Sequence, residues 1–249
     1  MIQSKKLLMN DNVTLTVVTT PATATCTLTY NSVQYSTKTL TVPKGSTISY
    51  SVYYSTYGTT TGSITMDKDK TLTCTGTSGT SYTDVSWSNP NLSSNGSLGG
   101  SSFAVQASGE RGTSAAWKAF DGSTTTFWIS GSAATTSAYM IMYNPNAIKL
   151  STISITNYTS NAGAHTPTSG TIYGSSNNSS WSTIKSYTNS TTSNKGNWSI
   201  SVNSSSYYKY WKINMSKTNT SGNMALTEIS MSGYYQSSST TYYWNTSTT

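Results

Sequence analysis

One histidine, two cysteines and seven carboxylates are the whole stock of ordinary catalytic side chains in this 249-residue chain. His165 alone leaves little room for a Ser-His-Asp triad or a histidine-rich metal site. No G-x-x-x-x-G-K-[ST] phosphate loop occurs. Glycoside hydrolysis needs two carboxylates flanking the scissile bond, and between residues 102 and 233 the acids are Glu110, Asp121 and Glu228. Cys26 and Cys74 stand in a half without histidine, with nothing nearby to lower a thiol pKa. These counts argue against an enzyme.

The remaining composition bounds the class. Only 8% of residues are charged, yet the chain holds 19 tyrosines and 7 tryptophans. Disorder normally goes with few aromatic and β-branched residues, whereas here Val, Ile and Thr recur at alternating positions, as in exposed β-structure. The net charge is +7, but the lysines are scattered, and only Lys5 and Lys6 are adjacent. Nucleic-acid binders cluster their basic residues and use more Arg, so no nucleic-acid partner is expected, and lysines guarding edge strands account for the charge. No stretch approaches membrane-spanning length, and Met1 to Asn12 does not read as a signal peptide. The expectation is synthesis in a cytoplasm without membrane insertion, with the sequons at Asn12, Asn91, Asn157 and Asn197 as products of a Ser/Thr-rich composition.

Residues 12–76, after an N-terminal arm at 1–11, read as a small all-β domain. Val13, Leu15 and Val17 alternate with polar residues, as do Ala24, Cys26, Leu28 and Tyr30, then Ile48, Tyr50 and Val52, then Ile64 and Met66, then Leu72 and Cys74. Pro21, Asn31-Ser32, Pro43-Lys44-Gly45 and Asp67-Lys68-Asp69 punctuate the runs. The string TVPKGSTISYSV at 41–52 resembles small Ig-like and PEGA-like modules. Cys26 and Cys74 fall on inward positions. They could form a disulfide or remain two buried thiols, and cytoplasmic synthesis favours the thiols. Residues 77–101 read as a linker stiffened by Tyr82 and Trp87. Residues 234–249 read as an aromatic Ser/Thr-rich tail expected to dock on another subunit or on its own sandwich.

Residues 102–233 form a second domain. Ala116 to Trp128, AWKAFDGSTTTFW, is preceded by Phe103, Val105 and Ala107. It is followed by AYMIMYNPNAIKLSTISITN at 138–157, TPTSGTIYGSSNNSSWSTIKSY at 166–187, YYKYWKINMSK at 207–217 and MALTEISMSG at 224–233. These blocks, in this order, resemble the discoidin-like domain, also called the coagulation-factor type C domain, which overlaps with family 32 carbohydrate-binding modules. The fold class expected is therefore all-β: an Ig-like β-sandwich followed by a discoidin-like, galactose-binding-like jelly-roll sandwich. Two antiparallel sheets would bury Ile153, Ile155, Ile172, Ile184, Ile213, Met215, Ile229 and Met231, with Trp128, Trp181 and Trp211 as core plugs.

The resemblance also implies sites. The Asp-Gly turn and the late Glu of the family lie around a structural calcium, which here points to Asp121, Thr126 and Glu228, an oxygen set suited to a hard cation. The alternative is that Asp121 caps its own turn and Glu228 pairs with a lysine; Trp117 and Phe120 depart from the family's smaller residues there. Glycan binding in the family uses loops at one rim, and the candidates are Glu110, Arg111, Tyr158, His165, Asn219 and Asn223. A guanidinium can hold two sugar hydroxyls and an aromatic face can stack on a pyranose. The alternative is a surface Glu110–Arg111 ion pair and an ordinary loop histidine. The Tyr143-Asn144-Pro145 variant looks most like domains of phage tail and virion proteins. The expected protein is a non-enzymatic bacteriophage virion component, a tail fibre, appendage or surface decoration. Its partners would be other virion proteins, copies of itself and a host-surface glycan. A purely structural assembly protein and a bacterial adhesin are the alternatives.

Overall fold

The computed structural model describes residues 11–131 and 136–249; of the expected N-terminal arm, residues 1–10 lie outside the described residues. The strands are β1 (Asn12–Thr20), β2 (Thr25–Tyr30), β3 (Val33–Tyr35), β4 (Thr39–Pro43), β5 (Thr47–Tyr54), β6 (Gly58–Thr65) and β7 (Lys70–Ser88). They continue with β8 (Ala104–Ala107), β9 (Trp128–Ile129), β10 (Ser137–Asn157), β11 (Ser169–Ser175), β12 (Ser182–Thr188), β13 (Asn197–Ser201), β14 (Tyr208–Ser216) and β15 (Ala225–Thr248). Helical structure among the described residues is one 3-10 turn, Ala116–Ala119, and one short helix, α1 (Ala162–His165). The chain is all-β, and it divides into two compact units: Met1–Ser81 with Ser238–Thr249, and Tyr82–Ser237.

In the first unit, β4, β1, β7 and the last part of β15 form one sheet, and β3, β2, β5 and β6 form the other. β1 runs antiparallel to β4 and parallel to β7, with Val17 opposite Leu72. Period-two alternation decides which side chains meet between the sheets. Leu15, Leu28, Ile48, Val52, Met66 and Leu72 are buried there, while Thr14 and Thr16 turn outward. Cys26 and Cys74 are buried and free. Burial pushes both thiols up, so both stay protonated and behave as small hydrophobes.

The terminal segment read as a tail is the second half of β15. Thr249 and Thr71 exchange backbone hydrogen bonds at 3.0 and 3.1 Å, and the Asn245 side-chain amide donates to Thr77 Oγ1 at 3.0 Å. Trp244 packs against the core of the first unit, donates from Nε1 to the Gly58 carbonyl at 3.0 Å and lies 5.3 Å from the Tyr57 ring. A strand supplied from the far end of the sequence gives no local pairing signal, which is why alternation alone left it as a tail.

The second unit is a sandwich in which β10 serves both sheets. Its first part pairs with β8 and β14, whose far side takes β11 and then β12. Its second part pairs with β13 and β15, and β9 adds to the start of β15. The register breaks between Tyr143 and Ile148, where Asn144-Pro145-Asn146 turns the corner and Asn144 Nδ2 donates to the Asn146 carbonyl at 2.8 Å. Pro145 has no N–H to give to a ladder, so pairing stops where it stands. Trp128, Trp211, Phe120, Met140 and Ile153 fill the interior. Trp181 does not: it is half-buried and lies outside that cluster, a correction to its expected role as a core plug.

The expected linker is largely absorbed. Residues 77–88 are strand. Asp84 forms an ion pair with Lys149 at 2.5 Å and accepts a hydrogen bond from the Tyr207 hydroxyl. Trp87 lies 6.0 Å from Phe103, and Asn89 accepts from the Met231 amide at 2.6 Å. Removing residues 238–249 is expected to lower the melting temperature of the first unit. Trp244→Ala should cost about 2 kcal/mol, roughly half the loss at a fully buried tryptophan. Urea unfolding checks this, and unchanged midpoints for both variants would show that the final strand contributes nothing.

Candidate functional site

Three loops of the second unit converge on Asn223. The first follows β8, the second carries α1 between β10 and β11, and the third joins β14 to β15. Asn223 is 3% exposed. Its Nδ2 donates to the Ser130 carbonyl at 2.9 Å, its Oδ1 accepts from Arg111 Nη1 at 2.8 Å, and its own carbonyl lies 2.7 Å from His165 Nδ1. A carbonyl only accepts, so Nδ1 is the donor, the tautomer in which the neutral ring presents Nε2 as an acceptor. Gly222, at φ +69°, precedes this residue, and a Cβ there would stand 2.7 Å from His165 Cε1. The left-handed turn and the absent side chain together let the imidazole close on the loop.

The aromatic wall of the site follows from the same loops. Tyr158 meets His165 edge-on at 5.1 Å and 69°, and Phe127 meets Tyr158 at 4.8 Å and 89°. Arg111 is exposed, and Phe127, Tyr158 and His165 are each half-buried. Together they offer a planar set of donors, an imidazole acceptor and aromatic edges on one accessible surface. Such a set can hold adjacent hydroxyls while apolar carbon rests on a ring.

Lys217 holds two of the three loops. It is 5% exposed, and its ammonium donates to the carbonyls of Ala164, Ser221 and Gly222 at 2.8, 2.7 and 3.0 Å. Burial pushes its pKa down, while three charge-assisted bonds satisfy all three of its protons.

Two of the expected ligand residues have other work. Glu110 Oε1 accepts from Asn95 Nδ2 and from the Ala116 amide, both at 2.8 Å, so it orders the entry to the 3-10 turn. No Glu110–Arg111 ion pair forms among the described residues. Asn219 Oδ1 accepts from the Ser221 amide and hydroxyl at 2.8 and 2.6 Å, shaping its own loop. Arg111, Tyr158, His165 and Asn223 are brought together; Glu110 and Asn219 are not part of that network. Phe127 and Lys217 were missed. Phe127 was readable as the outward neighbour of the inward Trp128, but nothing in the sequence marks Lys217 as a lysine turned inward.

A second oxygen-rich cluster involves Asp121, Thr126 and Glu228. Thr126 Oγ1 donates to Asp121 Oδ2 at 2.6 Å and the Ser123 amide to Oδ1 at 2.9 Å. Glu228 Oε2 is buried without a hydrogen-bond partner. Burial first, and then the Asp121 charge, push the Glu228 carboxyl up to about 7, against the opposing Gly122 amide. No lysine pairs with Glu228 among the described residues, and no group of three or more His, Cys, Asp or Glu side chains is placed to hold a metal there. Two carboxylates held near each other with an orphaned oxygen are chemically suited to a hard cation completed by hydroxyl and carbonyl oxygens.

No family model matches the chain, and no curated protein matches it. Solved structures similar to it include the family 32 carbohydrate-binding module of NanJ from Clostridium perfringens, in complex with galactose. That module is 22% identical with a TM-score of 0.45, over 52% of this chain and 93% of that one. Chitosan-binding module 1 of a chitosanase/glucanase from Paenibacillus sp. IK-5 is 22% identical with a TM-score of 0.41, over 53% and 95%. An F5/8 type C domain from Bacteroides fragilis is 15% identical with a TM-score of 0.46, over 53% and 92%.

The Glu228 environment sets a pH dependence. Its folded pKa, about 7, stands above the ordinary 4.5. Between those values the native chain keeps a proton that the unfolded chain releases, so this contribution is fully present below 4.5, falls as pH rises, and levels off above 7. In chelator, melting temperatures across that window should fall more steeply for the wild type than for Glu228→Gln, which should be the more stable protein at the alkaline end. Parallel curves would sink this account.

Proposed function

We propose that residues 102–233 form a discoidin-like glycan-binding module and that the protein is a non-enzymatic attachment component of a bacteriophage virion. The observation that carries the binding reading is the Arg111–Asn223–His165 network beside Tyr158. A buried amide fixes a guanidinium and an imidazole from different loops against an aromatic wall. A core does not need that arrangement, and a hydroxyl-rich ligand does. Individual sites of this exposed kind are weak, and display in many copies on a particle makes attachment firm. Such a setting also accounts for an aromatic-rich, charge-poor β-protein whose partners are copies of itself and other virion proteins.

Within the same proposal, Asp121, Thr126 and Glu228 hold one structural calcium ion. The ion would satisfy Glu228 Oε2 and neutralise the repulsion between the carboxylates, fixing the Asp-Gly turn to β15. Its role is structural; hydroxyl recognition belongs to Arg111, His165 and Tyr158.

A glycan array probed with the full chain on a multivalent bead tests the binding. Discrete glycan hits are expected, weakened roughly tenfold or more by Arg111→Ala as a charged hydrogen bond is lost. An array without hits, or hits indifferent to Arg111→Ala and His165→Ala, would favour the assembly reading. Calcium added to chelated protein should raise its melting temperature, and Asp121→Asn should abolish the rise. An equal rise in that variant would place the ion elsewhere.

A further inference from the structure

The sheet β8–β10–β14–β11–β12 buries one face and leaves the other uncommitted. Met140, Met142, Trp211, Ile213, Met215 and Ile172 fill the interior. On the outward side the register places Gln106 beside Ile141, Ile141 beside Lys212, Lys212 beside Tyr173 and Tyr173 beside Thr183. A second row runs from Tyr139 to Asn214 to Thr171. Five strands at about 4.8 Å spacing make a surface roughly 19 Å across, long enough for a short run of sugar rings. Tyr139 is 40% exposed. A cavity of about 250 Å³ lined by Ser108, Tyr139, Asn214 and Ser216 opens at the end of the second row.

Lys212 gives this face its chemistry. Its ammonium lies 4.2 Å from the centre of the Trp181 ring and 5.0 Å from that of Tyr173. Two aromatic rings hold the cation, and no carboxylate pairs with it among the described residues. The four acids of the second unit are occupied elsewhere: Asp84 with Lys149 and Tyr207, Glu110 with Asn95 and Ala116, Asp121 with Thr126, and Glu228 within its buried pocket. Eight cationic side chains meet those four carboxylates between residues 82 and 237. The charge this face lacks is negative.

We propose that this sheet face is a second carbohydrate-binding surface, taking an extended acidic polysaccharide with one carboxylate on Lys212 and sugar rings against Trp181, Tyr173 and Tyr139. Gln106, Asn214 and Thr171 supply the amide and hydroxyl partners that sugar hydroxyls require. A nucleic acid fits less well. Its backbone presents charges far more densely, and the two rows hold a single cation. No residue is shared with the Arg111–His165 rim, so the two surfaces are separately testable.

The probes are polygalacturonate, alginate and hyaluronan, with methyl-esterified polygalacturonate as the same sugar without its charge, measured by affinity electrophoresis of the full chain. At least one acidic polymer should retard the protein, with the ester roughly tenfold weaker. Lys212→Gln, a surface change, and Trp181→Ala, outside the core, should each weaken binding to a similar extent. Arg111→Ala should leave it unchanged. Any one of four results overturns the proposal: no retardation by any of the three polymers, equal binding of acid and ester, an unaffected Lys212→Gln, or equal affinity for single-stranded DNA. Loss of rim binding with this binding intact would separate a failure of the rim reading from a failure of this one.

Discussion

Strict in-out alternation in a chain almost devoid of charge is the constraint on which this structure depends. A strand that turns every second residue inward must find a partner sheet for that face. With 8% charged residues, its outward face has to be soluble through hydroxyls, amides and tyrosine. The outward threonines of β1 and β4 show the result, with Thr14 and Thr41 hydroxyls 3.0 Å apart across the ladder. Because few ion pairs are available to fix loops, fixing them falls to side-chain amides and isolated buried groups.

That shift in burden explains why single residues matter so much at the rim of the second unit. Asn223 serves Ser130, Arg111 and His165 at once, and Lys217 closes three carbonyls of two loops. A buried polar group is costly unless every partner is present, so such nodes define one loop arrangement rather than several. The same logic leaves exposed Arg111 and half-buried Tyr158 held in place yet open on one side.

The sheet interiors were legible from sequence because a period of two is a local property. Val13 to Val17, Ile153 with Ile155 and Ile213 with Met215 all bury as their spacing predicts. What was not legible depends on partners far along the chain. The aromatics of 234–249 lack the alternation that marks a strand with one wet face; Tyr234 and Tyr235 pair with Lys149 and Ile148 of β10, and the residues after them meet partners more than 150 residues away. Trp181 reads as a plug by residue type, but it stands immediately before β12, an edge strand of its sheet, where only one side has a neighbour, and the ring lies against Lys212 instead. Four of the six expected ligand residues are gathered into one network. Glu110 and Asn219 bond within the protein instead, and a polar loop residue looks the same in sequence whether it meets a ligand or its own backbone.

Glu228 and Lys217 illustrate two ways of handling a buried charge. Lys217 sits among carbonyls that saturate its protons, and the fold tolerates the cation without a carboxylate. Glu228 has the Gly122 amide but also a neighbouring Asp121 and an oxygen with nothing to accept from. With its pKa pushed up to about 7, it exchanges its proton around neutral pH, and the Asp-Gly turn is held by the Thr126 hydroxyl and the Ser123 amide on Asp121. A group of this kind favours whatever brings positive charge to it, whether a proton or a cation. The turn it would tighten, Asp121–Gly122, lies a few residues before Phe127, which packs edge-on to Tyr158, and Trp128, which fills the core, so the two carboxylates and the aromatic wall are joined by one short stretch of chain.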